Sequence, residues 1–128
     1  MYRYQKTDQI KEHYKNTLPQ PPSCPPIQSA LTFINKHLFD ERLTISWLKA
    51  QCSINSKNFA ARLRIHLNRY PKDYILHHRI ETSKRMLKQT EMTITTTAIS
   101  VGFNSNSSFA NSFKAREDMT PSQWREQN

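Results

Sequence analysis

Apolar residues recur at helical spacing along most of this chain. From Ile27 onward, Ile27, Ala30, Leu31, Ile34 and Leu38 follow one another at intervals of three and four, the stripe of an amphipathic helix. After a break at Phe39-Asp40-Glu41-Arg42, Thr44 is placed to cap a second helix with Ile45, Leu48 and Cys52 inward. A turn at Ser53-Ile54-Asn55 leads to a third, with Phe59, Leu63 and Leu67 on one line. Pro71 opens a long helix to about Gln89, because proline is favoured in a first helical turn. Tyr74, Ile75, Ile80, Met86 and Leu87 face inward along it.

The run Thr93-Ile94-Thr95-Thr96-Thr97 favours extended structure by propensity alone. Ile94, Ala98 and Val101, at spacings of four and three, make it helical, with Thr93 as its N-cap. Gly102, the only glycine in the sequence, then forms a tight turn into a helix carrying Phe109 and Phe113. A short helix from Pro121 closes the chain. Helix, tight turn and second helix make a helix-turn-helix unit.

The pattern occurs twice. Leu48, Cys52-Ser53-Ile54, Phe59, Leu63-Arg64, Asn68, Pro71 and Tyr74 answer to Thr97, Val101-Gly102-Phe103, Phe109, Phe113-Lys114, Asp118, Pro121 and Trp124, with one extra residue in the second turn. The predicted fold is all-α: two helix-turn-helix subdomains, residues 27–70 and 90–128, joined by a linker helix over 71–89. Residues 1–18 are polar with scattered Tyr2, Tyr4, Ile10, Tyr14 and Leu18, compatible with a frayed helix but showing no consistent face. Five prolines within 19–26 exclude a helix there and favour an extended linker, so 1–26 reads as a flexible N-terminal extension.

Charge narrows the partner. The net charge of +9 calls for a polyanion, nucleic acid before an acidic membrane. Residues 42–88 hold eleven Lys and Arg against two acids, whereas residues 89–128 hold three against four. The electrostatic drive therefore lies in the first unit and the linker. No run approaches 18 apolar residues, and the N-terminus lacks the apolar stretch of a signal peptide, which points to the cytoplasm. Cys24 and Cys52 have no metal-ligand spacing and read as free thiols. His77 and His78 diverge by about 100° on a helix and do not form a metal pair. The Ser and Thr of 93–112 contain no nucleophile, base and orienting group in sequence, so no catalysis and no cofactor is assigned.

The residues Ile94, Ala98, Val101-Gly102-Phe103, Phe109, Phe113-Lys114, Met119-Thr120-Pro121 and Trp124-Arg125, with Arg79-Ile80 and Met86-Leu87 upstream, resemble the DNA-binding domain of the AraC/XylS family of bacterial transcription regulators over about 27–126. The resemblance implies about seven helices. It also implies that 55–67 and 105–116 are recognition helices entering adjacent major-groove segments of double-stranded DNA about one turn apart, so that a monomer reads an asymmetric site at the nucleoid.

Several positions depart from the family pattern. Asn68 and Asp118 stand where glycine is usual after each recognition helix; both tolerate a left-handed backbone. Ser53 replaces the glycine of the first turn, Lys49 a small residue at the helix crossing, and Thr97 a core aliphatic. Ala61 and Asn111 replace a common arginine, and Arg62 sits where an apolar residue is usual.

The candidate base readers are therefore Lys57, Ala60 and Ala61 on the first helix, and Ser107, Ser108 and Asn111 on the second. Ser56, Arg62, Arg64 and Arg79 are candidates for phosphate or flanking contacts in the first unit and linker. Ser105, Asn106 and Lys114 take that role in the second unit. For Arg79 a structural ion pair with a nearby acid is an equally good reading. Asparagine pairs with adenine and alanine touches a thymine methyl, so an A·T-rich site is expected. The alternative is an interaction module whose first unit binds DNA while the second contacts RNA polymerase or another protein.

Overall fold

The computed structural model describes residues 2–19, 25–52 and 59–128. Among these residues the chain is all-helical, with eight helices: α1 Tyr2–Asn16, α2 Pro25–Lys36, α3 Ile45–Gln51, α4 Phe59–Leu67, α5 Pro71–Gln89, α6 Ile94–Ser100, α7 Asn106–Glu117 and α8 Pro121–Gln127. Two cores share α5. One gathers Ile27, Leu31, Ile34, Leu38, Leu48, Phe59 and Leu63 around Tyr74 and Ile75. The other gathers Ala98, Val101, Phe103, Phe109 and Phe113 around Ile80, Met86 and Leu87. In the second core the rings form a chain of tilted and edge-to-face contacts from Phe103 through Phe109 and Phe113 to Trp124, with centroids 5.3, 5.7 and 6.2 Å apart.

The expected punctuation is present. Thr44 and Thr93 cap α3 and α6 by accepting the N–H of Trp47 and Thr96, and Thr120, not singled out as a cap from sequence, does the same for α8 with the N–H of Gln123. Asn68 and Asp118 follow α4 and α7 with φ of 59° and 60°, the left-handed conformation their short polar side chains tolerate. Thr97, at a core position, is fully buried because its hydroxyl donates to the Thr93 carbonyl at 2.9 Å. Lys49 is exposed, whereas Ala98 is fully buried.

α6 ends in a paired-bond cap. The Phe103 N–H reaches the Ala98 carbonyl at 3.0 Å and the Gly102 N–H reaches Ile99 at 3.1 Å. Gly102 has φ of +105°. The Arg79 guanidinium lies against its α-carbon face, where a Cβ would come within 2.8 Å of Cζ and Nε.

Arg79 itself is buried at the junction of the two cores. Its Nε donates to the Leu38 carbonyl at 2.7 Å and its Nη2 to the Asp40 carbonyl at 2.8 Å. Burial pushes the guanidinium down to about 10, against the opposing pull of Asp40. One side chain thus joins the loop after α2, the linker helix and the turn of the second unit.

The N-terminal segment differs from the expectation. Residues 2–16 form α1; its residues Thr7, Ile10 and Tyr14, with Leu18 just beyond its end, are buried. Ile10 enters the second core, while Tyr14 and Leu18 enter the first. The stripe is only one residue wide per turn, so it gives little amphipathic signal, and its partner α5 lies some 60 residues downstream. Pro25 and Pro26, read as linker, instead occupy the first turn of α2, where a missing N–H costs nothing. With α1 the helix count becomes eight rather than about seven.

At the α1–α5 contact the Tyr14 hydroxyl and His78 Nδ1 are 2.6 Å apart. The Tyr74 ring packs edge-on to the imidazole. Burial first, then His77 and Arg69, hold His78 down at about 4 against an ordinary 6.5. In that window the unfolded chain binds a proton that the folded chain refuses. The His78 contribution is therefore complete above 6.5 and is lost as pH falls toward 4. His37 and His77 act in the same direction. Asp40, held near 2 by its bonds from Arg42, stays ionised across the window. The melting temperature is expected to fall between pH 7 and pH 5, and less steeply in His78→Gln. Equal slopes for the two proteins would show that His78 is not the titrating group.

Candidate nucleic-acid interface

α4 and α7 are the second helices of the two units, and each buries one edge only. Phe59, Leu63 and Leu67 fix the inward line of α4, and Phe109 and Phe113 that of α7. At about 100° per residue, the line of α4 opposite Leu63 carries Ala61 and Ile65, and the line of α7 opposite its phenylalanines carries Ser107 and Asn111. All four are exposed.

Of the sequence candidates on the first unit, Ser56 and Lys57 lie outside the described residues, as do the turn Ser53-Ile54-Asn55 and the first residues of the expected 55–67 helix. Ala60 is half-buried on the flank; Ala61, Arg62 and Arg64 are exposed. Arg64 also stacks its guanidinium 4.9 Å from the Tyr70 ring centroid. On the second unit Ser105, Asn106, Ser107, Ser108, Asn111 and Lys114 are all exposed along one end and side of α7. Ser105 is the N-cap of α7: its oxygen accepts the Ser108 N–H at 3.1 Å, which leaves its hydroxyl proton to donate.

Arg79 requires a correction. It is buried, and its Nε and Nη2 donate to the Leu38 and Asp40 carbonyls, which places it inside the fold rather than on a phosphate-facing surface. The reading of it as a structural group is right in kind, but its partners are backbone carbonyls rather than an acid.

The structure also shows where the second unit spends its cations. Arg116 at the end of α7 donates to Asp73 of α5 at 2.6 Å, and its neighbour Glu117 takes Lys84 of α5 at 3.1 Å. The Arg116 bond is also the leading reason the Asp73 carboxyl sits below its ordinary range. Arg125 of α8 donates to the carbonyls of Leu87, Met92 and Thr90 at 2.6 to 3.3 Å. Two of the three cations in 89–128 thus bind the second unit to the linker helix, and Lys114 belongs to neither network. Sequence reading missed this because Asp73 and Arg116 are 43 residues apart.

Trp47 packs against Phe33 and His37 with Arg42 over its ring, a structural cluster at the first unit's edge. Among the described residues no group of His, Cys, Asp and Glu is placed to hold a metal ion. None of the described helices is long and apolar enough to cross a membrane.

A family model described as a helix-turn-helix domain matches residues 48–127. The HTH-type transcriptional regulator AlkR of Acinetobacter baylyi is 28% identical over 104 residues, which cover 80% of this chain and 33% of that protein. The chain therefore spans about a third of the length of that curated relative. Among solved structures, the C-terminal domain of AraT, a response regulator from Geobacillus stearothermophilus, superposes with a TM-score of 0.75 at 22% identity, covering 81% of this chain and 86% of that one. The DNA-binding domain of AdpA, a global transcriptional factor solved with a target DNA, superposes with a TM-score of 0.72 at 19% identity, covering 82% and 93%. These two likenesses are of fold. With the doubled units, the Gly102 turn and the Thr-Pro-x-x-Trp-Arg tail, the match over 48–127 settles the family: the chain belongs to the AraC-type helix-turn-helix family of transcription regulators.

Proposed function

We propose that this chain binds double-stranded DNA sequence-specifically, with α4 and α7 in adjacent major-groove segments about one helical turn apart. The observation that carries this reading is a pair of exposed faces on two helices that both pack against α5: Ala61, Arg62 and Arg64 on α4, and Ser107, Ser108 and Asn111 on α7. Asn111 is suited to a bidentate pair with adenine and Ala61 to a thymine methyl, which favours A·T pairs under both helices. Lys57 and Ala60 complete the first reading set. Ser56, Arg62 and Arg64 on one side, and Ser105, Asn106 and Lys114 on the other, hold phosphates. Binding-site selection with the purified chain tests the proposal. An A·T-rich core opposite both helices and a footprint over two groove segments are expected; G·C-rich sequence under both helices would sink the base assignments.

The spent cations of the second unit favour a second reading. With Arg116 and Arg125 committed internally, α7 has little charge with which to grip a polyanion, as expected if the second unit meets RNA polymerase or another protein. A footprint confined to one groove segment is the result that would favour it.

On either reading the grip lies upstream. Removing one phosphate contact lowers the salt slope of binding by about 0.9. Arg62→Ala and Arg64→Ala are expected to weaken binding more, and to reduce its salt dependence more, than Lys114→Ala. A gel-shift titration in which Lys114→Ala is the worst of the three would reject this order.

A further inference from the structure

We infer that Ile65 is a specificity-determining residue that reads a thymine methyl group beside Ala61. The inference rests on the proposal that α4 enters the major groove. Ile65 is 79% exposed, the most exposed large aliphatic side chain among the described residues. Ala61 and Ile65 lie two residues before and two after the buried Leu63, each about 160° around the helix from it and about 40° from one another. They form an apolar line along the crest of α4, with Arg62, Arg64 and His66 exposed beside it.

An isoleucine in that place has nothing to gain from the fold. It touches neither core, and a β-branched side chain is a poorer helix former than the lysine, glutamine or glutamate that suit a solvated crest. A single exposed aliphatic is ordinary on a protein surface. Here it stands one turn from the exposed Ala61, on the crest that the flanking basic residues would carry toward DNA. With only a methyl at Ala61, the helix can approach the base edges closely, which brings the next crest residue within reach of them. The one apolar group on the major-groove edge of the four base pairs is the thymine 5-methyl. An aliphatic crest therefore selects thymine by burying its methyl and disfavours cytosine, whose amino group would be left without an acceptor.

Deoxyuridine tests this, because it removes the methyl and keeps every hydrogen-bonding group. Once selection has defined the site, each thymine in the α4 half is replaced singly by deoxyuridine and affinity is measured for the wild type, Ile65→Ala and Ile65→Val. For the wild type, at least one position is expected to lose about fourfold in affinity, which corresponds to burial of one methyl at about 0.8 kcal/mol. The loss should vanish in Ile65→Ala and persist in part in Ile65→Val. Because the side chain is exposed, unchanged circular dichroism and melting are expected for both variants. If Ile65→Ala leaves the thymine-to-uracil loss unchanged at every position, including those not assigned to Ala61, the inference is overturned and the DNA-binding proposal stands. No sequence-specific binding by the wild type overturns both.

Discussion

Gly102→Ala is expected to lower the melting temperature by roughly 10 °C or more, an effect out of proportion to one methyl group. Two costs coincide at this position. The backbone is at φ +105°, where an L side chain adds about 1–2 kcal/mol of strain. The new Cβ would also stand 2.8 Å from the Arg79 guanidinium, which cannot step aside without breaking its bonds to the Leu38 and Asp40 carbonyls. Each such charged bond contributes about 1.5–3 kcal/mol. A combined loss of about 3 kcal/mol or more is a large part of the roughly 5–15 kcal/mol that holds a domain folded. The pair can be separated by a cycle. Arg79→Met alone leaves two carbonyls without their donor, but it removes the clash, so Gly102→Ala should cost clearly less in the Arg79→Met background. A melting temperature for Gly102→Ala within a few degrees of the wild type, or strict additivity of the two substitutions, would show that the contact does not constrain the fold.

The second large effect concerns α1. Removal of residues 1–18 is expected to destabilise both cores together, because Ile10 belongs to one and Tyr14 and Leu18 to the other. Tyr14→Ala alone should cost about 3–5 kcal/mol, the range for deleting a large buried ring. Tyr14→Phe, which loses only the 2.6 Å bond to His78, should cost about 1 kcal/mol. Chemical denaturation of the truncated chain and the two variants gives the comparison. If residues 19–128 unfold at the denaturant concentration of the full chain, α1 is an ornament on an independent domain beginning near Ile27.

Much of this fold was legible in the sequence because its signals are local. The Gly102 turn, the threonine caps, Pro71 at the head of α5 and the left-handed Asn68 and Asp118 each follow from a few neighbouring residues. The phenylalanine spacing of α7 reports its core directly. What escaped depends on partners distant in the chain. Tyr14 meets His78 across 64 residues, Arg79 meets the carbonyl of Leu38 across 41, and Arg116 meets Asp73 across 43. Arg79 was the harder case, since carbonyls carry no side-chain signature and any loop offers them. At the candidate interface, Ala61 was named from its place in the family pattern, whereas Ile65, four residues later, emerges only once the buried line of Phe59, Leu63 and Leu67 fixes which side of α4 is exposed.

The bonds that join the two units to α5 also decide who must yield when protein and duplex meet. α7 is tied to the linker helix by Arg116–Asp73 and Glu117–Lys84, α8 by Arg125, and the first unit by Arg79, with α1 laid across both cores. If both units engage DNA as proposed, these ties among the described residues resist adjustment of one unit against the other on a target whose two segments are poorly aligned. On that reading the accommodation would fall to the DNA, where a smooth bend costs about 1–6 kcal/mol over 20–30 base pairs. Base steps that bend cheaply between the two segments would raise affinity without touching any side chain. Part of the recognition code would thus be written in the stiffness of the duplex.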